Sequence, residues 1–233
     1  MTHLSLLVIG IGITVAAYAG GRTVFLRTRN ALLNPVFLGT VTVIVTWLAL
    51  GFTVDDYAPG KEVMTSLLGP ATVALAVPLY RQRQRVWARL SGILVAIGAG
   101  SVVTIAAVIG VARGLGLDHM LVLCLAPKSV TTPIAIEIAR LIGGNPALTT
   151  GLVVTTGMVG AMVGPGFLTL LRIDDPVARG VAVGTTSHAT GTAQMLQEGE
   201  TQGALSGVAM TVAAVFSALI APVLIPWLVN LGD

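Results

Sequence analysis

Long apolar runs fill this chain and are broken only briefly by polar residues, the pattern of helices that are apolar all round rather than on one face. Runs of about 20 residues match a hydrocarbon core roughly 30 Å thick. About eight such segments are predicted, at residues 4–20, 31–52, 63–80, 88–112, 119–142, 146–171, 176–196 and 203–229. Alternating strands of the barrel type do not appear, so the expected fold is an all-α polytopic transmembrane bundle. The third, fifth and seventh segments depart from plain helices. The third carries Pro70 and Pro78, the fifth contains APKSVTTP at 126–133, and the seventh contains GTTSHATGTA at 184–193. These three are expected to be broken or re-entrant, since irregular backbone at membrane depth is tolerated where it lines a cavity.

Composition agrees with the pattern. Hydrophobic residues make up 55% of the 233 and charged residues 10%, against roughly 25% charged in a soluble domain. Mean hydropathy is +0.91 and the pI is about 9.5. The positive charge concentrates in loops: Arg22, Arg27 and Arg29 after the first segment, Arg81, Arg83, Arg85 and Arg89 after the third, and Arg140 after the fifth. Those loops are therefore assigned to the cytoplasm, with both termini outward and the loop holding Arg172, Asp174, Asp175 and Arg179 outside. The arginines read as membrane anchors, not as a nucleic-acid surface. Ala17, Tyr18 and Ala19 resemble a signal-peptidase site, but the charge follows the apolar run, so the first helix is expected to stay.

Chemistry is then sought where polar residues sit at depth. A lysine at the centre of a spanning helix costs roughly 2.5–3.5 kcal/mol, so Lys128 is expected to be kept for function. Lys128, Thr131 and Thr132 share a face wherever the backbone is helical, so hydroxyls and an ammonium can surround one anion. Gly184, His188, Gly191 and Thr192 share another face, and an imidazole there can carry a proton near neutrality. If either segment is unwound, its half-helix N-terminus adds positive potential and free N–H groups. Glu137 is a second candidate for a coupling proton, although Arg140 lies one turn beyond it. Glu198 and Glu200 read as a solvated loop. The glycine spacings Gly160/Gly164 and Gly180/Gly184 read as close helix packing. Cys124 is the lone cysteine, His3, His119 and His188 are scattered, and Ser187 beside His188 has no carboxylate partner. Hence no metal site, no cofactor and no enzyme activity are expected. The stretches 67–82 and 124–139 each place a proline before a small, polar-tinged run, a weak sign of an internal repeat.

The runs PKSVTTPIA (127–135), GGNPALTTGLVVTTGMVGAMVGP (143–165), GTTSHATGTA (184–193) and EGETQGALSGVAM (198–210), with LLNPVFLG (32–39) and GPATVALAVPLY (69–80), closely resemble the LrgB/CidB family. The resemblance spans nearly the whole chain and implies one integral membrane domain over 1–233. It carries two functional implications. Bacterial members were described as antiholin-like or holin-like proteins controlling murein hydrolase export and lysis, with an LrgA/CidA-type membrane partner. A plant relative is similar to a plastid glycolate/glycerate translocator, and bacterial members have been connected with pyruvate uptake. Lys128 and its hydroxyl neighbours suit the second implication, so the expectation is a transporter of small monocarboxylates in a bacterial inner membrane. It would act alone as a homo-oligomer or with such a partner. The family's motif positions fall on Asn34, Lys128, Ser129, Thr131, Thr132, Ser187, His188, Gly191 and Thr192, the expected solute-binding residues. One departure stands out: Gln194 follows GTA where the family commonly has Lys or Arg.

Overall fold

In a computed structural model, residues 3–28, 30–67, 70, 73–74, 76–81 and 83–231 are described. The described residues are helical and contain no strand. Four helices are long and apolar enough to cross a membrane: His3–Thr28, Leu90–Gly114, Pro146–Leu170 and Glu200–Asn230. The chain forms two compact units, Met1–Val77 and Pro78–Asp233. Residues 68, 69, 71, 72 and 75 lie outside the described set, and with them most of the predicted break in the third segment and half of the proposed internal repeat. Arg29 lies outside it too.

In the first unit, α1 (His3–Thr28) packs against α2 (Pro35–Ala49) and α3 (Ala58–Ser66). Asn34 starts α2: its side-chain oxygen accepts from the N–H groups of Val36 (2.8 Å) and Phe37 (3.4 Å), and Pro35 occupies the first helical position, where its missing N–H costs nothing. A Cβ on Gly21 would press on Pro35 and Leu38, so that glycine sets how closely α1 and α2 approach. Trp47 Nε1 donates to Thr53 O (2.7 Å) and Thr14 Oγ1 bonds Tyr57 OH (2.7 Å), tying the loop after α2 back onto α1.

After two short helices, α4 (Ala76–Arg81) and α5 (Arg83–Ala88), the second unit is built on α6 (Leu90–Gly114), α9 (Pro146–Leu170) and α11 (Glu200–Asn230). Between them lie α7 (His119–Leu125), α8 (Thr132–Leu141) and α10 (Pro176–Glu198). Asp118, Asn145 and Asp175 cap α7, α9 and α10 through their side-chain oxygens. Val95, Val103 and Val111 of α6 are exposed, and so are Val215, Leu219 and Val223 of α11, as lipid-facing helices require.

Two tertiary contacts fix the path of the chain. Arg89 Nη1 donates to Asp175 Oδ2 at 2.8 Å, so the start of α6 and the end of α9 share an edge. Arg113 Nη1 donates to Leu228 O at 3.2 Å, so the far ends of α6 and α11 share the opposite edge. Helices α6 and α9 have 25 residues each, about 38 Å at 1.5 Å per residue, enough for a full crossing. Since α9 must end at the Arg89 edge, it starts at the Arg113 edge, and the intervening α7 and α8 leave and return to that same edge. They form a re-entrant hairpin. Its packing agrees: Val122 of α7 and Ile138 of α8 join one core with Ile109 of α6 and Ile225 of α11, both from the far halves of their helices.

A second hairpin enters from the other edge. Backbone angles at His188 (φ 41°, ψ −137°) break α10 into two arms, 176–187 and 189–198. Arg179 and Glu198 are 19 residues apart, about 28 Å along a straight helix, yet Arg179 Nη2 lies 2.7 Å and Nε 3.0 Å from the Glu198 carboxylate oxygens. Val183 of the first arm and Met195 of the second pack together. Hydrogen bonds from Arg89 and from the Ala178 N–H hold the Asp175 carboxyl below the usual carboxylate range at the base of this hairpin.

Segments 119–142 and 176–196 take the broken, re-entrant form, as hairpins that do not cross, so the number of crossings falls below eight. The side assigned to one loop is corrected. The loop carrying Arg89 and the loop carrying Asp175 meet on one face and not on opposite faces, with Arg81 3.8 Å from Glu200 on that face as well. Counting the first hairpin as a crossing inverted α9 and put the Asp175 loop on the wrong side, and counting the second restored the direction of α11.

Candidate functional site

The tip of the first hairpin is a turn, not a helix face. Lys128 N donates to Leu125 O (3.1 Å) and Val130 N to Pro127 O (3.3 Å), after which Thr131 is extended and occupies the N-cap position of α8. Pro133 falls in the first turn of α8, where its missing N–H costs nothing. The expected i, i+3, i+4 face of Lys128, Thr131 and Thr132 is therefore replaced by a loop that gathers the same side chains at the start of α8. Lys128 Nζ donates to Ser129 Oγ at 3.3 Å. Ser129 is buried, while Lys128, Thr131 and Thr132 are half-buried. The Thr131 side chain makes no cap bond, so the first-turn N–H groups of α8 receive nothing from it.

The tip of the second hairpin is fitted into α9. That helix turns the buried row Thr149, Val153, Gly157, Ala161 and Pro165 towards the unit's interior. His188 Nε2 lies 3.0 Å from Val153 O. A carbonyl only accepts, so Nε2 carries the hydrogen and Nδ1 remains the acceptor of the neutral ring. Two glycines make room. A Cβ on Gly157 would meet the His188 ring, and one on Gly160 would meet Ser187 Oγ. Gly191 opposes Ser187 and Val183 across the hairpin, where a Cβ would lie 2.6 Å from Ser187 Cβ. Thr192 Oγ1 donates to His188 O (2.9 Å) and bonds Ser206 Oγ (2.9 Å), which pins the strained tip to α11.

The two hairpins meet in the interior of the unit. Ser129 of the first hairpin and Thr185 of the second share a small cavity of about 10 Å³ with Ser101 of α6 and Ser217 of α11. Both hairpins also begin their second arm at the tip. The N-termini of α8 and of arm 189–198, the positive ends of their helix dipoles, thus both lie at the tips, that of α8 four residues beyond Lys128. One lysine, several hydroxyls and two helix N-termini make this an anion-binding environment.

Most of the residues singled out by sequence belong to these tips: Lys128, Ser129, Thr131 and Thr132 on one, Ser187, His188, Gly191 and Thr192 on the other. Two do not. Asn34 belongs to the first unit, where its side chain caps α2. Glu137 sits on the exposed side of α8, 2.6 Å from Arg140. Gln194 is buried in the second arm of α10. Glycines 180 and 184 do serve close packing, facing the backbone oxygens of Gln202 and Ser206. Gly160 instead accommodates the hairpin tip. Sequence reasoning missed the Arg179–Glu198 clasp and left Glu198 in a solvated loop. Arg179 is buried and also donates to Ile173 O (2.9 Å), Pro165 O (3.1 Å) and Thr169 Oγ1 (3.2 Å). An arginine within an otherwise small-residue apolar segment was the available signal.

Comparison with known proteins places this architecture. The Bacillus subtilis protein YxaC is 36% identical over 99% of this chain and 100% of its own length. The Bacillus subtilis protein YwbG is 32% identical over 95% of this chain and 98% of its own length. The antiholin-like protein LrgB of Bacillus mycoides is 34% identical over 94% of this chain and 96% of its own length. No solved structure matches. A profile of the LrgB-like family covers residues 14–227, so this membrane protein, with its paired re-entrant hairpins, belongs to the LrgB-like family.

Proposed function

We propose that the chain carries small monocarboxylates of the glycolate, glycerate or pyruvate type across the bacterial cell membrane, with a coupled proton or by exchange. The observation that carries this reading is Lys128, held at the tip of a re-entrant hairpin just ahead of the α8 N-terminus, where Ser129 shares a small cavity with the second hairpin. A lysine at that depth is costly unless an anion or a partner repays it. The solute carboxylate binds Lys128 and the first-turn N–H groups of α8, with Ser129, Thr131 and Thr132 around it. His188 is the better proton carrier of the two candidates, since Glu137 is engaged by Arg140 away from the tip. Hairpins entering from opposite edges provide two gates to one central site, the requirement of alternating access.

Uptake of labelled glycolate and pyruvate into proteoliposomes, with and without a pH gradient, tests this. Lys128→Ala lowers saturable uptake at least about thirtyfold, the weight of one buried charged contact, while membrane insertion is unchanged. Undiminished uptake in the folded variant removes the lysine from the mechanism.

The name borne by the Bacillus mycoides relative favours a second reading, an antiholin-like subunit modulating murein hydrolase export with an LrgA/CidA-type partner. That reading predicts no uptake by the chain alone. Dye leakage that does not saturate with solute would mark a holin-like pore.

A further inference from the structure

Among the described residues, Ser101 Oγ and Thr149 Oγ1 are buried side-chain oxygens with no hydrogen-bond partner. A buried hydroxyl left in that state costs free energy, and its retention calls for a reason. Ser101 stands near the midpoint of α6 and lines the cavity between the first hairpin's tip and the first arm of the second hairpin. The other polar residues there are Ser129, Thr185 and Ser217, and all four are buried. About 10 Å³ is room for a single oxygen-sized group. The chemistry of the wall argues against a cation: it has hydroxyls but no carboxylate, and the Lys128 ammonium donates to Ser129 Oγ at its edge. Thr185 Oγ1 spends its hydrogen on Val181 O (2.8 Å) and keeps lone pairs, whereas Ser101 keeps both its donor and its acceptors.

We infer that this cavity is a one-oxygen subsite, in which Ser101 recognises the hydroxyl or oxo oxygen on the carbon next to the solute's carboxylate. The inference rests on the carboxylate-carrier reading and adds what that reading lacks, a means of preferring 2-oxygenated acids over plain ones. Ser129 adjoins both parts. Its backbone neighbour Lys128 holds the carboxylate, and its own side chain borders the cavity, so the two groups of one small solute fall to adjacent residues. Ser101 and Ser217 come from the long helices and not from the tips, so the oxygen is read jointly by the fixed helices and the hairpins.

The test measures uptake of glycolate and of acetate by reconstituted protein, in wild type, Ser101→Ala, Ser217→Ala and Thr149→Ala. Thr149 bears the other unpartnered buried hydroxyl but does not line the cavity. The expected result is a wild-type preference for glycolate that falls about tenfold in Ser101→Ala through weaker glycolate uptake alone, the scale of one lost hydrogen bond. Thr149→Ala keeps the preference. Ser217→Ala gives a second reading of the same cavity if Ser101→Ala does not fold. Equal loss for both acids, an unchanged preference in both cavity variants, or the same shift in Thr149→Ala overturns the subsite while leaving a carboxylate carrier intact. A wild type that carries neither acid overturns the carrier reading, and the subsite with it.

Discussion

His188 concentrates several demands at one position. Its φ of 41° lies where L-residues are strained, at a cost of about 1–3 kcal/mol, and a glycine would adopt it freely. The side chain offsets this by reaching Val153 O, while Thr192 holds the His188 carbonyl and Gly157 leaves room for the ring. His188→Gly and His188→Ala both lose the bond to Val153, but only alanine keeps the strain. His188→Gly is therefore expected to be the more stable of the two by about 1 kcal/mol, after allowance for the entropy of a glycine in the unfolded chain. Thermal melting in detergent checks the order, and a more stable alanine variant would mean that the tip does not hold this backbone conformation. The sequence placed a break within residues 184–193 but did not point to His188 as the turn. Ser-His-Ala-Thr contains neither glycine nor proline, and its polarity alone marked it as special.

At the scale of elements, the second hairpin is held shut by side chains and not by helix continuity. Arg179 and Glu198 join the ends of its arms with side-chain exposures of only 10% and 21%. Removing one partner of a mostly buried pair leaves the other uncompensated. Glu198→Gln is expected to destabilise the unit by about 2–4 kcal/mol, below the loss for a fully buried pair because Arg179 keeps its carbonyl acceptors. Hydrogen exchange should quicken first in residues 189–198, and unaltered protection there would deny the clasp its role. Two helix starts were legible in the predicted segments 146–171 and 176–196, where Asn145-Pro146 and Asp175-Pro176 each combine a cap with a proline at the first helical position. The clasp was not, because two charges 19 residues apart look unrelated until the chain is known to fold back between them.

For the second unit as a whole, the decisive feature is direction of travel. Residues 119–142 and 176–196 have the length and apolarity of spans, and the hydropathy that revealed the membrane also concealed the reversals. Prolines 127 and 133 around Lys128 showed where the first break lies, but a break is compatible with crossing or returning. Only contacts distant in sequence, Arg89 with Asp175 and Arg113 with Leu228, separate the two. Labelling with a membrane-impermeant maleimide provides a direct check. In a Cys124→Ala background, cysteines replacing Leu115 and Leu141 are expected to react from one side of the membrane, and cysteines replacing Leu171 and Glu200 from the other. Labelling of the first pair from opposite sides would make α7 and α8 a span after all.

A hairpin that returns to its own edge contributes nothing to topological parity. Excising a true span inverts every helix downstream, whereas α9 and α11 should keep their orientation if the α7–α8 hairpin is shortened or removed. The same property bears on biogenesis. The stretch bearing Lys128 never has to be drawn through the full bilayer during insertion, and need only sink to mid-depth once α6 and α9 stand on either side of it.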